Sequence, residues 1–185
     1  MLLFVNACVR EGSRTKRLAQ YLLSQRGAPY EEVALYKVRF PTADGAFLEK
    51  RDRLIKAGDF GDPMFRLARQ FAAADDIVIA APYWDLSFPA SLKQYFEQIN
   101  VLGITFLYTP EGTPQGLCRA KRLTYVTTAG GAFVPEEYGA GYVKALAQNF
   151  YGIPEFRLIK AAGLDIYGAD VDAIMKSAMR SIADE

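Results

Sequence analysis

The chain has 185 residues, 51% of them apolar and 23% charged, and a formal net charge of +1; this suits one domain with a sizeable core and offers no basic surface for nucleic acid or anionic lipid. It contains no histidine, which excludes a Ser-His-Asp triad and a His-bearing zinc site and leaves any chemistry to other groups or to a cofactor. The two cysteines, Cys8 and Cys118, are too few for a disulfide framework or a metal knot, and read as reduced thiols.

The first segment, Leu2 to Cys8, is an apolar run that suits a buried strand. It is too short to span a bilayer, and no basic stretch precedes it as in a secretion signal. A cytoplasmic location, with no membrane partner, is expected. Gly12-Ser13-Arg14-Thr15 follows, then a helical face of Leu18, Tyr21 and Leu22. Tyr30 to Leu35 reads as a second, weaker strand, and AFLEKRDRLIKAG (46–58) as a charged surface helix stopped at Gly58. Asp62-Pro63 supplies an N-cap and a first-turn proline for a helix whose inner face is Met64, Leu67, Ala68 and Phe71.

Ile77 to Ala81 is a third strand, apolar on both faces, as in a parallel sheet covered on both sides. Leu92, Tyr95, Phe96 and Ile99 mark the next helix. Ile104 to Leu117 alternates around Pro110-Glu111-Gly112, which predicts a hairpin or long excursion. Leu123 to Thr128 is a fourth strand ending at Ala129-Gly130-Gly131. Val143, Leu146, Ala147 and Phe150 define a further helix, Phe156 to Ile166 holds a fifth strand, and Val171 to Ile182 forms the last helix. Strands alternate with helices and no repeat or linker intervenes. Residues 1–185 therefore read as a single α/β domain with a parallel sheet.

In such sheets ligands bind beyond the carboxyl ends of the strands, so three strand ends matter. After the first, NACVREGSRTKRLA places glycine, serine and threonine before a helix. That gathers backbone N–H groups and hydroxyls at a positive helix end, which suits a phosphate; equally, Ser13 or Thr15 could simply cap the helix. The stretch is neither a GxxxxGK loop nor a GxGxxG fingerprint. After the third strand, Pro82-Tyr83-Trp84-Asp85 puts aromatic rings and a polar group where a strand meets solvent. The alternative is an ordinary core, with both rings packed against the following helix. After the fourth strand, TTAGGAF opens the backbone or makes a tight turn. With strand order 2-1-3-4-5, the three ends lie side by side. A phosphate beside a planar, polar-edged ring describes flavin mononucleotide (FMN).

The segments SRTKRLAQYL, APYWDLSFPASLKQYFEQI, GITFLYTPEGTPQGL and VTTAGG resemble the flavodoxin-fold NAD(P)H:quinone oxidoreductases and FMN-dependent azoreductases along nearly the whole chain. The resemblance implies a flavodoxin-like three-layer sandwich: a five-stranded parallel sheet, helices on both faces and a hairpin excursion after the third strand's helix. It places the FMN phosphate on Ser13, Arg14 and Thr15. The isoalloxazine ring falls on Pro82, Tyr83, Trp84, Asp85 and Leu86, with the Trp84 and Asp85 N–H groups toward its polar edge. The pyrimidine edge or ribityl chain falls near Thr128, Ala129, Gly130 and Gly131. Tyr108 is implied as lining the acceptor pocket, with a plain surface ring as the alternative. The donor is NADH or NADPH, the acceptor a small molecule (a quinone, azo or nitro compound), and the assembly a homodimer with FMN near the interface. This chain departs from the family pattern at Asp85, where asparagine is common, at Leu86, where an aromatic is common, and at Ala129, where some members have arginine. A flavodoxin-like electron carrier without substrate turnover is the rival reading; such carriers are strongly acidic, whereas this chain carries +1.

Overall fold

The structure is a computed structural model that describes residues 1–183, so residues 184 and 185 of the predicted domain lie outside the described residues. Strand β1 (Leu2–Asn6) runs into helix α1 (Arg14–Arg26), β2 (Tyr30–Ala34) and a short 3₁₀ turn. Helix α2 (Gly45–Ala57), α3 (Arg66–Ala73), β3 (Asp76–Ala80) and α4 (Ala90–Ile99) follow. The hairpin β4 (Phe106–Tyr108) and β5 (Pro114–Gly116) precedes β6 (Arg122–Thr128), α5 (Ala140–Ala145), β7 (Glu155–Ala161) and α6 (Val171–Ala183).

The main sheet has the order β2-β1-β3-β6-β7 and all its pairings are parallel. This is the predicted 2-1-3-4-5 arrangement, renumbered by the hairpin strands β4 and β5, which form a separate antiparallel ribbon. Ile77, Val78, Ile79 and Ala80 are fully buried. That is why β3 shows no alternation: both of its faces are covered. Leu18, Leu22 and Leu23 of α1 and Met175, Ala178 and Ile182 of α6 cover one face. Leu67, Ala68 and Phe71 of α3, Leu92, Tyr95 and Phe96 of α4, and Val143 of α5 cover the other. The Phe71 ring centre lies 4.8 Å from that of Tyr151 and 6.3 Å from that of Tyr95. Truncating Phe71 to alanine would cost about 3–5 kcal/mol, as for other buried aromatics.

Several boundaries differ from the sequence reading. Pro63–Phe65 forms a 3₁₀ turn capped by Asp62, and the α-helix begins only at Arg66. The helix carrying Val143 is short and its last turn, Leu146–Phe150, widens to a π-helix. The fifth strand stops at Ala161, because Gly163 to Asp165 hydrogen-bond back to the loop after β6 instead of continuing a ladder. Helix α2 ends as predicted at Gly58, whose left-handed φ of +67° closes it. It has no fully buried residue, and rests on the core only through Leu54 and Ile55.

Candidate active site

The carboxyl ends of β1, β3 and β6 open into a cleft of about 370 Å³. Of the residues singled out from the sequence, Ser13, Arg14, Thr15, Pro82, Tyr83, Trp84, Thr128, Ala129 and Gly130 line it. Cys8, Arg10, Gly12 and Asp165 also line it. Asp85, Leu86, Gly131 and Tyr108 do not. The first two form the tip of a turn at the rim, Gly131 is exposed behind the lining glycine, and Tyr108 stands on the hairpin, edge-on to Phe106 and half exposed.

Ser13 caps α1, its Oγ accepting the Lys16 N–H at 3.2 Å. Both readings of this serine therefore meet at one atom: the cap holds the helix start, and the helix start faces the cleft. The N–H groups of the first residues, Arg14 and Thr15, have no acceptor within the helix. They carry the positive end of its dipole, a ready anion site. Thr15 is buried, and its hydroxyl shares a 2.6 Å hydrogen bond with that of Thr128 across the floor. This bond ties the first strand end to the fourth. Arg14 Nη1 donates to Asp165 Oδ1 at 2.7 Å. Asp165 is held in place by its own N–H, which donates to Gly130 O at 2.9 Å. A Cβ on residue 130 would overlap the Asp165 carboxylate, so a larger residue there must push that side chain out of its place beside Arg14.

The wall after β3 is a two-residue turn. Trp84 N–H donates to Ser87 O at 3.1 Å, and Ser87 N–H donates to Trp84 O at 2.7 Å. Between them Asp85 and Leu86 have φ of +50° and +66°, the pattern of a type I′ turn. A left-handed leucine is uncommon and costs roughly 1–2 kcal/mol. This corrects one expectation. The Trp84 N–H is used inside the turn, and the N–H groups left without an acceptor among the described residues are those of Asp85 and Leu86. The turn is braced from behind: Ser87 Oγ donates to Tyr138 O at 2.7 Å and Tyr83 Oη to Pro135 O at 3.4 Å. Partial burial, then Glu137, raises the Tyr83 pKa. Cys8 sits on the cleft floor, where burial pushes its thiol pKa up against the opposing pull of Ser13 and Lys16. Asp165 and its pair with Arg14 went unnoticed in the sequence, and Cys8 read there only as a reduced thiol. A lone cysteine gives no signal, and Asp165 lies 151 positions from its partner.

The residues present fit FMN. An open helix N-terminus suits the phosphate, hydroxyls stand beside it, and a strained turn offers two unpaired N–H groups beside aromatic side chains. A family model described as "Flavodoxin-like fold" matches residues 1–185. The FMN-dependent NADH:quinone oxidoreductase of Lachnoclostridium phytofermentans is 37% identical, over 95% of this chain and 92% of its own length. That of Coprothermobacter proteolyticus is 33% identical, over 92% and 89%. The chain belongs to the flavodoxin-fold family that includes these quinone oxidoreductases. Among solved structures, an azoreductase from Bacillus anthracis superposes with a TM-score of 0.86 at 24% identity, over 99% of this chain and 96% of that one. At that identity the likeness speaks for the fold. In this quinone oxidoreductase family member the two specific sequence segments, the Pro82–Leu86 turn and the Thr105–Tyr108 hairpin, occupy different places: the first walls the cleft and the second stands away from it.

Proposed function

We propose that the protein is an FMN-dependent NADH:quinone oxidoreductase that also accepts azo and nitro compounds. The observation that carries this is the cleft, in which an open helix N-terminus, the Pro82–Trp84 wall and the Thr15–Thr128 pair line one space, with the left-handed Asp85-Leu86 turn at its rim. NADH is the donor in the names of the relatives at 33–37% identity. When bound, FMN supplies the chemistry no side chain here can, passing hydride equivalents from NADH to an acceptor.

The chain binds, orients and excludes. The Arg14 and Thr15 N–H groups, the Ser13 and Thr15 hydroxyls and the Arg14 guanidinium hold the phosphate. Pro82, Tyr83 and Trp84 flank the ring, and the Asp85 and Leu86 N–H groups meet its polar edge. Thr128, Ala129, Gly130 and Gly131 lie toward the pyrimidine edge or ribityl chain. With no histidine available, an acceptor takes its proton from solvent or a tyrosine.

The assembly we propose is a homodimer with the cleft near its interface, built from α4 and the hairpin. Leu102, Tyr108 and Leu117 on that excursion are exposed, which supports a partner surface. Tyr108 would then line an acceptor pocket across the interface, not in its own chain.

Nicotinamide and acceptor share the one cleft and must occupy it in turn. Initial-rate plots of NADH oxidation at several fixed quinone concentrations should therefore be parallel. Intersecting lines would contradict this scheme. The net charge of +1 disfavours a pure electron carrier, which would show no steady-state turnover with a quinone.

A further inference from the structure

Asp165 is the one carboxylate that lines the cleft among the described residues. The loop that carries it is zipped to the loop after β6 by three hydrogen bonds. Gly163 N–H donates to Gly131 O at 2.9 Å, Leu164 N–H to Ala129 O at 3.2 Å and Asp165 N–H to Gly130 O at 2.9 Å. The backbone therefore fixes where the side chain starts. The missing Cβ of Gly130 leaves the carboxylate room to lie against that strand end, with Oδ2 its nearest atom.

The two carboxylate oxygens differ. Oδ1 accepts from Arg14 Nη1 at 2.7 Å. Oδ2 accepts no hydrogen bond among the described residues. The side chain is 68% exposed, so a ligand in the cleft can reach it. At that exposure the ion pair adds little to stability by itself; what it does is hold one oxygen and leave the other open.

Charge says what that oxygen can take. A carboxylate repels a phosphate and accepts from neutral donors. The phosphate belongs at the start of α1, with Ser13 and Arg10. FMN has a matching sequence of groups: a phosphate, a chain of hydroxyls, then the ring. With the phosphate at α1 and the ring along Pro82–Trp84, the hydroxyl chain spans the space between them. Thr15 and Thr128 already bond one another there, which leaves Asp165 Oδ2 as the open charged acceptor.

We propose that Asp165 is a further cofactor-binding residue, whose Oδ2 accepts hydroxyl hydrogens of the flavin's ribityl chain and so makes the cleft prefer a hydroxylated flavin to a bare ring. The inference rests on the FMN reading. Arg14 serves it as a positioning residue, turning the carboxylate so that one oxygen stays free.

The test is fluorescence titration of the full chain, freed of flavin, with FMN, riboflavin and lumiflavin in turn. Riboflavin keeps the hydroxyl chain without the phosphate; lumiflavin has neither. Comparing these two removes the phosphate, and with it any repulsion by Asp165, from the result. The wild type should bind riboflavin at least about tenfold tighter than lumiflavin. Asp165→Ala should cut that preference about tenfold and leave lumiflavin binding unchanged. Asp165→Asn, whose amide oxygen still accepts, should cut it only about threefold, as for a neutral acceptor. The preference is a ratio measured on one variant, so any loss of folded protein cancels from it. FMN binding without a preference for riboflavin overturns this inference alone. So does a preference that survives Asp165→Ala, or an equal loss in both variants, which would mean that only the charge beside Arg14 matters. A wild type that binds none of the three flavins overturns the FMN reading as well.

Discussion

Thr15 and Thr128, 113 residues apart in sequence, share a buried 2.6 Å hydrogen bond between their hydroxyls, and this bond is the floor of the cleft. It joins the helix that would hold a phosphate to the strand end that would hold the rest of the cofactor. Because the pair is buried, removing one hydroxyl leaves the other without its partner, at a cost of about 1–3 kcal/mol.

Changing Ser13 and Thr15 together to alanine should weaken FMN by roughly 3–6 kcal/mol, taking about 1.5–3 kcal/mol for each of the two charge-assisted hydrogen bonds. The same variant should lose about 1 kcal/mol of stability with the Ser13 cap and about 1–3 kcal/mol more with the Thr15–Thr128 bond. Flavin-fluorescence titration and thermal melting report the two effects separately. An unchanged dissociation constant beside a lowered melting temperature would leave Ser13 and Thr15 as structural residues only.

Leu86 is held at φ +66° without being glycine or asparagine. Leu86→Asn keeps a Cβ but tolerates that conformation better, so the free protein should gain up to about 1 kcal/mol. FMN affinity should stay unchanged, because the substitution leaves the Asp85 and Leu86 N–H groups in place. A destabilised variant in denaturant unfolding would mean that the turn is not strained at this residue.

Asp85 makes no side-chain hydrogen bond among the described residues, so it caps neither the turn nor α4. Its carboxylate is therefore free to oppose negative charge that develops beside it. Two unit charges 4 Å apart interact by about 4 kcal/mol at an effective dielectric near 20, and by less where water intervenes. About 30 mV corresponds to 1.4 kcal/mol for a two-electron couple. Asp85→Asn should raise the midpoint potential by some tens of millivolts. Spectroelectrochemical titration giving equal potentials would remove Asp85 from any tuning role.

Burial pushes Cys118 up to about 12, from an ordinary value of 9.0. It also raises buried Tyr95, Tyr125 and Tyr151 above 10.0. In this window the folded state keeps protons that the unfolded state has released. Stability is then intact below about pH 9 and falls as pH rises toward 12, by up to about 1.4 kcal/mol per pH unit for each group. Urea midpoints measured from pH 7 to 11 should drop only above about 9, and a flat profile to pH 11 would contradict the assignment.

Much of the fold was legible because its signals are local. The unbroken apolar run Ile77–Ala81 announces a strand buried on both faces, and Asp62-Pro63 and Gly58 announce helix ends. The Ser13–Thr15 and Pro82–Trp84 segments line the cleft because they sit at strand ends, where α/β sheets open to solvent. What escaped depends on contacts distant in sequence or on backbone angles that the residue does not advertise. Nothing in a leucine signals φ +66°, and the Trp84 N–H is lost to Ser87 only because that turn is so tight. Asp165 is an unremarkable loop acid until the fold brings it to Arg14 and against Gly130. Tyr108 stands apart from its own chain's cleft because the hairpin forms a separate two-stranded ribbon, away from the main sheet.

The central claim is that this cleft holds FMN for electron transfer from NADH to a quinone. It is tested most directly by anaerobic absorbance titration of the purified, FMN-reconstituted protein. The account predicts one FMN bound per chain, loss of the visible flavin band with one equivalent of NADH, and its return on adding a quinone. A protein that binds no FMN, or whose flavin band is untouched by NADH, would contradict it.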